Sequence, residues 1–68
     1  MNIRVNGDNL LYNQKDNVKI FLEKFLKKTE LKGIAFAKNG TIVPKSNWEN
    51  TVIEENDEIE IVQAVQGG

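Results

Sequence analysis

Only one long stretch of this chain has helical period, and that narrows the available architectures more than any other feature. Val18, Phe21, Leu22, Phe25 and Leu26 recur at i, i+3, i+4, i+7 and i+8, while Lys19, Glu23, Lys24, Lys27 and Lys28 fill the remaining arc. This spacing lays an apolar stripe along one side of a helix that begins at about Asn17. Asp16 or Asn17 can cap its first N–H groups, the lysines near its end suit the negative pole, and Gly33 marks the stop after Leu31. A chain of 68 residues has few other side chains to fill an interior, so the Phe/Leu stripe is expected to face the core.

The rest of the chain reads as strands and turns. Met1-Asn2-Ile3-Arg4-Val5 alternates apolar and polar residues and runs into Asn6-Gly7, a dipeptide that favours a tight hairpin. A second strand is expected at about Asn9 to Asn13, with Leu10 and Tyr12 on one face and Leu11 on the other. Past the helix, Ile34 to Lys38 forms a strand, Asn39-Gly40 repeats the hairpin signal, and Thr41-Ile42-Val43 is its partner, closed by the sole proline, Pro44. Alternation leaves open whether Phe36 or its neighbours Ala35 and Ala37 face the helix. Ser46 can cap a short turn containing Trp48, Thr51-Val52-Ile53 is a brief extended piece, and a polar turn over Glu54 to Asp57 leads to a last strand from Glu58 to Val65. The order β-β-α-β-β-turn-β, with one helix to lie across a face of the sheet, is that of an α+β protein. It suits a β-grasp, or ubiquitin-like, fold with a mixed four- to five-stranded sheet. Residues 1–65 are expected to make a single domain and residues 66–68 a flexible tail.

Composition removes several kinds of function. Cysteine and histidine are both absent, which excludes disulfides, thiol nucleophiles, thiolate or imidazole metal sites and the commonest general base near neutral pH. Side-chain catalysis is therefore not expected, and neither is an intrinsically bound cofactor or metal. Nine basic and ten acidic residues give a net charge of −1, so no overall field draws the protein to nucleic acid or to an anionic membrane. The apolar runs are too short for a membrane span and no charged-then-apolar leader opens the chain. The expectation is a soluble, cytoplasmic protein.

The best clue to function is the final pair, Gly67 and Gly68, placed directly after the alternating stretch Ile59 to Gln66. Without Cβ atoms this backbone can thread a channel too narrow for side chains. A terminal α-carboxylate is ionised at neutral pH, its reference pKa being about 3.3–3.7. Once a partner positions it, it can attack the α-phosphorus of ATP and form an acyl-adenylate. The unbranched carbon of Gly68 leaves both approach faces of the carbonyl open. Other carrier chemistries need anchors that are missing: the only serine, Ser46, is not in the Asp-Ser-Leu setting of an acyl carrier, and the hairpin tips offer no lysine.

Several charged groups invite other readings. Glu54, Glu55, Asp57, Glu58 and Glu60 form an acidic run without the glycine and ligand spacing of a calcium loop, so a solvated turn is the better account. Lys24, Lys27, Lys28 and Lys32 have no interleaved aromatics, as a nucleic-acid surface would require. Trp48 reads as a lid over the edge of the core rather than a partner anchor.

Two segments together resemble a known family. Asn39-Gly40-x-x-Val43-Pro44-x-x-x-Trp48 and Asn56-Asp57-x-Ile59-x-Ile61-Val62-x-Ala64-Val65-x-Gly67-Gly68, with Ile3-x-Val5-Asn6-Gly7 at the start, are similar to the ThiS sulfur carriers of thiamine biosynthesis. The resemblance implies a β-grasp fold and a protein that is a substrate rather than an enzyme. It implies that an E1-like adenylyltransferase, ThiF-like, uses ATP and Mg²⁺ to adenylate Gly68. Sulfur from a persulfide derived from cysteine by a desulfurase then gives a thiocarboxylate, and a ThiG-like thiazole synthase takes up that sulfur. Gly67 supplies clearance. The family usually has Gly-Asp where Asn56-Asp57 stands and a threonine cap where Asn17 stands.

The small subunit of molybdopterin synthase shares the implied fold, tail and activation, but its residues before the glycines are usually proline-rich, against Gln63-Ala64-Val65-Gln66 here. A ubiquitin-like modifier, joined through glycine to a target lysine, begins from the same adenylate. A plain β-grasp interaction module is a further alternative. The sheet face away from the helix is expected to carry an apolar patch for the partner enzymes, drawn from Ala35 or Ala37, Val62 and Ala64, with Val65 and Gln66 continuing towards the tail.

Overall fold

The computed structural model describes residues 1–63. Its elements are β1 (Asn2–Val5), β2 (Asp8–Leu11), α1 (Val18–Leu26), β3 (Ile34–Lys38), β4 (Thr41–Ile42), a 3-10 helix (Lys45–Asn50) and β5 (Glu58–Gln63). The strands form one mixed sheet in the order β2-β1-β5-β3-β4. β1 runs parallel to β5, and the other pairs are antiparallel. The strand formed last in the chain thus lies in the middle, between two hairpins that flank it.

Both hairpins close as the Asn-Gly pairs predict. Asn6 and Gly7 have φ of 51° and 88°, and Asn39 and Gly40 have 52° and 85°. Two successive positive φ values define the type I′ turn, whose twist matches that of the strands it joins. A Cβ at Gly7 or Gly40 would meet no atom within 4 Å, so the demand for glycine comes from the dihedral and not from lack of space.

The helix starts where the sequence places it and ends earlier. Asn17 caps it, accepting from the Ile20 N–H at 2.8 Å. It stops after Leu26, not Leu31: Lys27 takes the left-handed conformation at φ 57°, its N–H bonds to the Glu23 carbonyl, and Lys28 donates to the same oxygen at 3.2 Å. This is a Schellman-type end built on a lysine where glycine is usual. Gly33 does have φ of 79°, but it shapes the turn into β3. Asp16, the alternative cap, instead accepts from the Tyr12 hydroxyl at 2.5 Å and pairs with Lys24 at 2.9 Å, tying the end of the first hairpin to the helix. The Tyr12 hydrogen bond first, then Lys24, hold its carboxyl below the usual range.

The core lies between α1 and one face of the sheet. Val18, Phe21 and Leu22 of the helix meet Ile3 and Val5 of β1, Phe36 of β3 and Ile59 of β5, with Leu31, Trp48 and Ile53 closing the sides. Phe21 is the hub, edge-on to Tyr12 at 5.0 Å and to Phe36 at 6.5 Å. Phe21→Ala would cost about 3–5 kcal/mol, comparable to the whole stability of a small domain. One member of the stripe departs from expectation. Phe25 is 41% exposed, stacked on Phe21 at 5.6 Å. Its angular position is central to the stripe, so the difference is axial: it sits in the last turn, one residue before the helix ends.

The structure also settles which way β3 faces. Phe36 points to the helix and is 1% exposed, leaving Ala35 and Ala37 on the outer face. Trp48 is buried, donates its Nε1–H to the Val43 carbonyl at 2.9 Å, and acts as the expected lid. Ser46 does not cap its turn; Pro44 precedes that 3-10 helix and no side chain caps it. β2 begins at Asp8 and ends at Leu11, and β4 is only two residues long.

Candidate functional site

β5 leads towards the glycine pair, and two features of the sheet converge on it. The first is the outer face. Register pairs Ala35 with Val62, Ala37 with Glu60 and Ala37 with Ile42, so Ala35, Ala37, Ile42 and Val62 share one side. Ile42 and Val62 are 71% and 63% exposed. With Glu60 they line a shallow depression of about 210 Å³. The sequence reading had placed Ala35 or Ala37 and Val62 in this patch; both alanines lie there. Ile42 was missed, although a two-residue turn fixes it opposite Ala37. Toward the other edge of the same face the pairs are polar, Arg4 with Glu58 and Arg4 with Asn9.

The second feature is the grip of the two turn asparagines on β5. The Ile61 N–H donates to Asn6 Oδ1 at 2.8 Å, and Asn6 Nδ2 donates to the Ile61 carbonyl at 3.2 Å. The carboxamide takes the place of a neighbouring peptide group just where β1 turns away. At the other end of β5, the Glu58 N–H donates to Asn39 Oδ1 at 2.9 Å, and Asn39 Nδ2 donates to Asp57 Oδ1 at 3.1 Å. Asp57 is 4% exposed. Its Oδ2 accepts from the Glu54 N–H at 2.7 Å and lies 3.5 Å from Lys38 Nζ, which also pairs with Glu54 at 3.0 Å. Burial pulls the Lys38 ammonium down, but the Glu54 hydrogen bond and the charges of Asp57 and Glu54 outweigh it and leave its pKa raised.

The acidic run does not gather around one point. Asp57 turns inward, Glu54 faces Lys38, Glu55 Oε2 accepts from the Asn2 N–H at 2.9 Å, and Glu58 and Glu60 lie on the outer face. Among the described residues, no group of three or more acidic, His or Cys side chains is placed to hold a metal ion. No helix among them is long and apolar enough to cross a membrane. Asn56 has φ of 67°, the left-handed geometry that lets asparagine replace the more usual glycine before Asp57. Ala64, Val65, Gln66, Gly67 and Gly68 lie outside the described residues.

A five-stranded mixed sheet grasping one helix, with parallel first and last strands in its centre, defines a ubiquitin-like β-grasp protein. Within that class, the sequence model of the ThiS family matches residues 3–68, and the chain belongs to that family. The fold is similar to the crystal structure of the thiamine biosynthesis protein ThiS from Geobacter metallireducens, with a TM-score of 0.82 at 24% identity and full coverage of both chains. A solution structure of a thiamine biosynthesis protein from the same organism matches with a TM-score of 0.80 at 24% identity, over 100% of this chain and 88% of that one. No curated protein matches the chain in sequence.

Proposed function

We propose that this protein is the cytoplasmic sulfur carrier for thiazole formation in thiamine biosynthesis, and that Gly68 is its working residue. The observation that carries this reading is the family match over residues 3–68, which includes the glycine pair as well as the sheet. In the proposed cycle a ThiF-like adenylyltransferase binds ATP and Mg²⁺ and presents the α-phosphorus to the Gly68 carboxylate. A carboxylate oxygen bonds to phosphorus and pyrophosphate leaves. The terminal sulfur of a desulfurase-derived persulfide then attacks the acyl carbon and AMP leaves, giving an acyl disulfide. A partner thiol attacks the persulfide-side sulfur, forming a disulfide with it and breaking the S–S bond, so that the thiocarboxylate is released for a ThiG-like thiazole synthase to consume.

The carrier contributes no acid, base or metal to these steps. Its task is to be docked and to deliver its chain end. Ala35, Ala37, Ile42 and Val62 supply an apolar contact on the outer face, and Ala64, Val65 and Gln66 are further proposed contacts with the partner. Gly67 clears the entrance for Gly68, since a bulky side chain one residue from the reacting carbon would block the approach.

Intact-mass analysis of protein purified from its own cells tests the chemistry. A mature chain ending at Gly68 and a species about 16 Da heavier, sulfur replacing oxygen, are expected. Adducts linked to target lysines would instead identify a modifier. Deleting Gly68 or replacing Gly67 by Trp should abolish adenylation, and adenylation retained by the truncated chain would refute the role of Gly68.

A further inference from the structure

We infer that Asn6 is a positioning residue for the chain end: its carboxamide fixes the direction in which β5 leaves the sheet. The inference rests on the carrier reading for its functional consequence, but its structural part stands on geometry alone.

β5 loses one neighbour partway along. β1 pairs with it only at Arg4–Glu58 and Val5–Ile59, and the last backbone bond between them runs from the Asn6 N–H to the Ile59 carbonyl at 2.9 Å. Beyond that point the chain of β1 reverses through Asn6-Gly7. Ile61, Val62 and Gln63 would then be held from the β3 side alone, through Phe36, Ala35 and Ile34. Asn6 prevents this at Ile61. Its side chain both accepts from the Ile61 N–H and donates to the Ile61 carbonyl, so the two-sided ladder extends one residue pair past the end of β1. The bonds span 55 positions in sequence. Only two described residues separate this anchor from the segment that leads to Gly68.

A strand held on both sides has its direction defined, whereas one held on a single edge can splay. Where a reaction depends on presenting a chain end to a fixed nucleotide, small errors in direction cost rate rather than docking affinity. Other asparagine functions do not need this arrangement. The positive φ at position 6 would be met by glycine, and the local turn makes no demand on the Ile61 backbone.

The test compares Asn6→Gly with Asn39→Gly, both of which keep a residue suited to positive φ. Asn39→Gly removes the matching grip at the far end of β5. Amide hydrogen exchange and backbone order parameters are measured at Ile61, Val62 and Gln63, and adenylation by the ThiF-like enzyme is followed as pyrophosphate release, well below both melting temperatures. In Asn6→Gly we expect exchange at Ile61 to quicken about tenfold and order at Val62 and Gln63 to fall. We expect kcat to drop about tenfold while KM for the carrier stays within about twofold. Asn39→Gly should change none of these at residues 61–63 and leave kcat unchanged. If Asn6→Gly leaves order at Val62 and Gln63 intact, the inference is wrong whatever the kinetics. If order falls but kcat holds, the positioning role is refuted. A wild-type chain that is not adenylated at all would overturn the carrier reading, while the exchange and order data would still decide whether Asn6 directs the strand.

Discussion

The turns at Asn6-Gly7 and Asn39-Gly40 have the same dipeptide, nearly the same φ values and the same kind of hairpin, yet their asparagines do different work. Asn39 reaches into a partly buried cluster with Asp57, Lys38 and Glu54 that closes the beginning of β5. Asn6 makes exposed bonds to one backbone unit near the end of β5. Water competes freely for both Asn6 bonds and for the Glu58 N–H bond to Asn39, but much less for the Asn39 bond to buried Asp57, so equal numbers of hydrogen bonds should have unequal weight in stability. One turn locks the fold and the other aims what leaves it.

The largest effect that would expose this difference is Asp57→Ala. It strips the Glu54 N–H and Asn39 Nδ2 of their acceptor, a carboxylate only 4% exposed, and should cost about 2–3 kcal/mol in urea unfolding. A loss below about 1 kcal/mol would mean that the cluster is not the stronger anchor. Next come the alanine variants. Both lose a residue tolerant of positive φ, but Asn39→Ala also breaks its partly buried bond to Asp57 and leaves that buried carboxylate short of a donor, so about 2 kcal/mol is expected for it against about 1 for Asn6→Ala. Equal losses would erase the distinction.

Lys27 offers a control for the backbone contribution, because it too has positive φ and no turn side chain to replace. Lys27→Gly should stabilise the protein by about 0.5–1 kcal/mol. A melting temperature that fell would show that the lysine side chain does more than occupy the helix end. The smallest effect is with pH. Lys38 has a folded pKa raised above its unfolded value of about 10.4, so its contribution is complete below that pH and is lost as pH rises through the folded value. Tyr12, raised by burial first and then by the Asp16 hydrogen bond and charge, acts in the same direction above about pH 10. Denaturation of Tyr12→Phe across this range isolates the lysine. A remaining alkaline decline is expected, and its absence would remove Lys38 from the stronger anchor.

Much of this fold is legible because its determinants are local. Asn-Gly between alternating runs specifies both hairpins, Asn17 before Val18 starts the helix, and once the second turn is known the pairing of Ala37 with Ile42 follows by counting. The glycine pair and the spacing around Val43-Pro44 and Trp48 likewise made the family resemblance readable in one chain. The helix end was not legible, since glycine has the stronger intrinsic claim to the left-handed position that closes a helix, whereas here that position falls on Lys27 and Gly33 turns the chain into β3.

What the chain alone determined was the order of its elements, the dihedral demands of its turns and the glycine ending, all of which depend on residues within a few positions of one another. Tertiary structure decided that Phe36 faces inward, that Asp57 is buried, and that two like asparagines grip opposite ends of one strand. Those choices depend on which backbones become neighbours across 18 to 55 positions. A side-chain amide has no preference among peptide groups until the sheet brings one within reach.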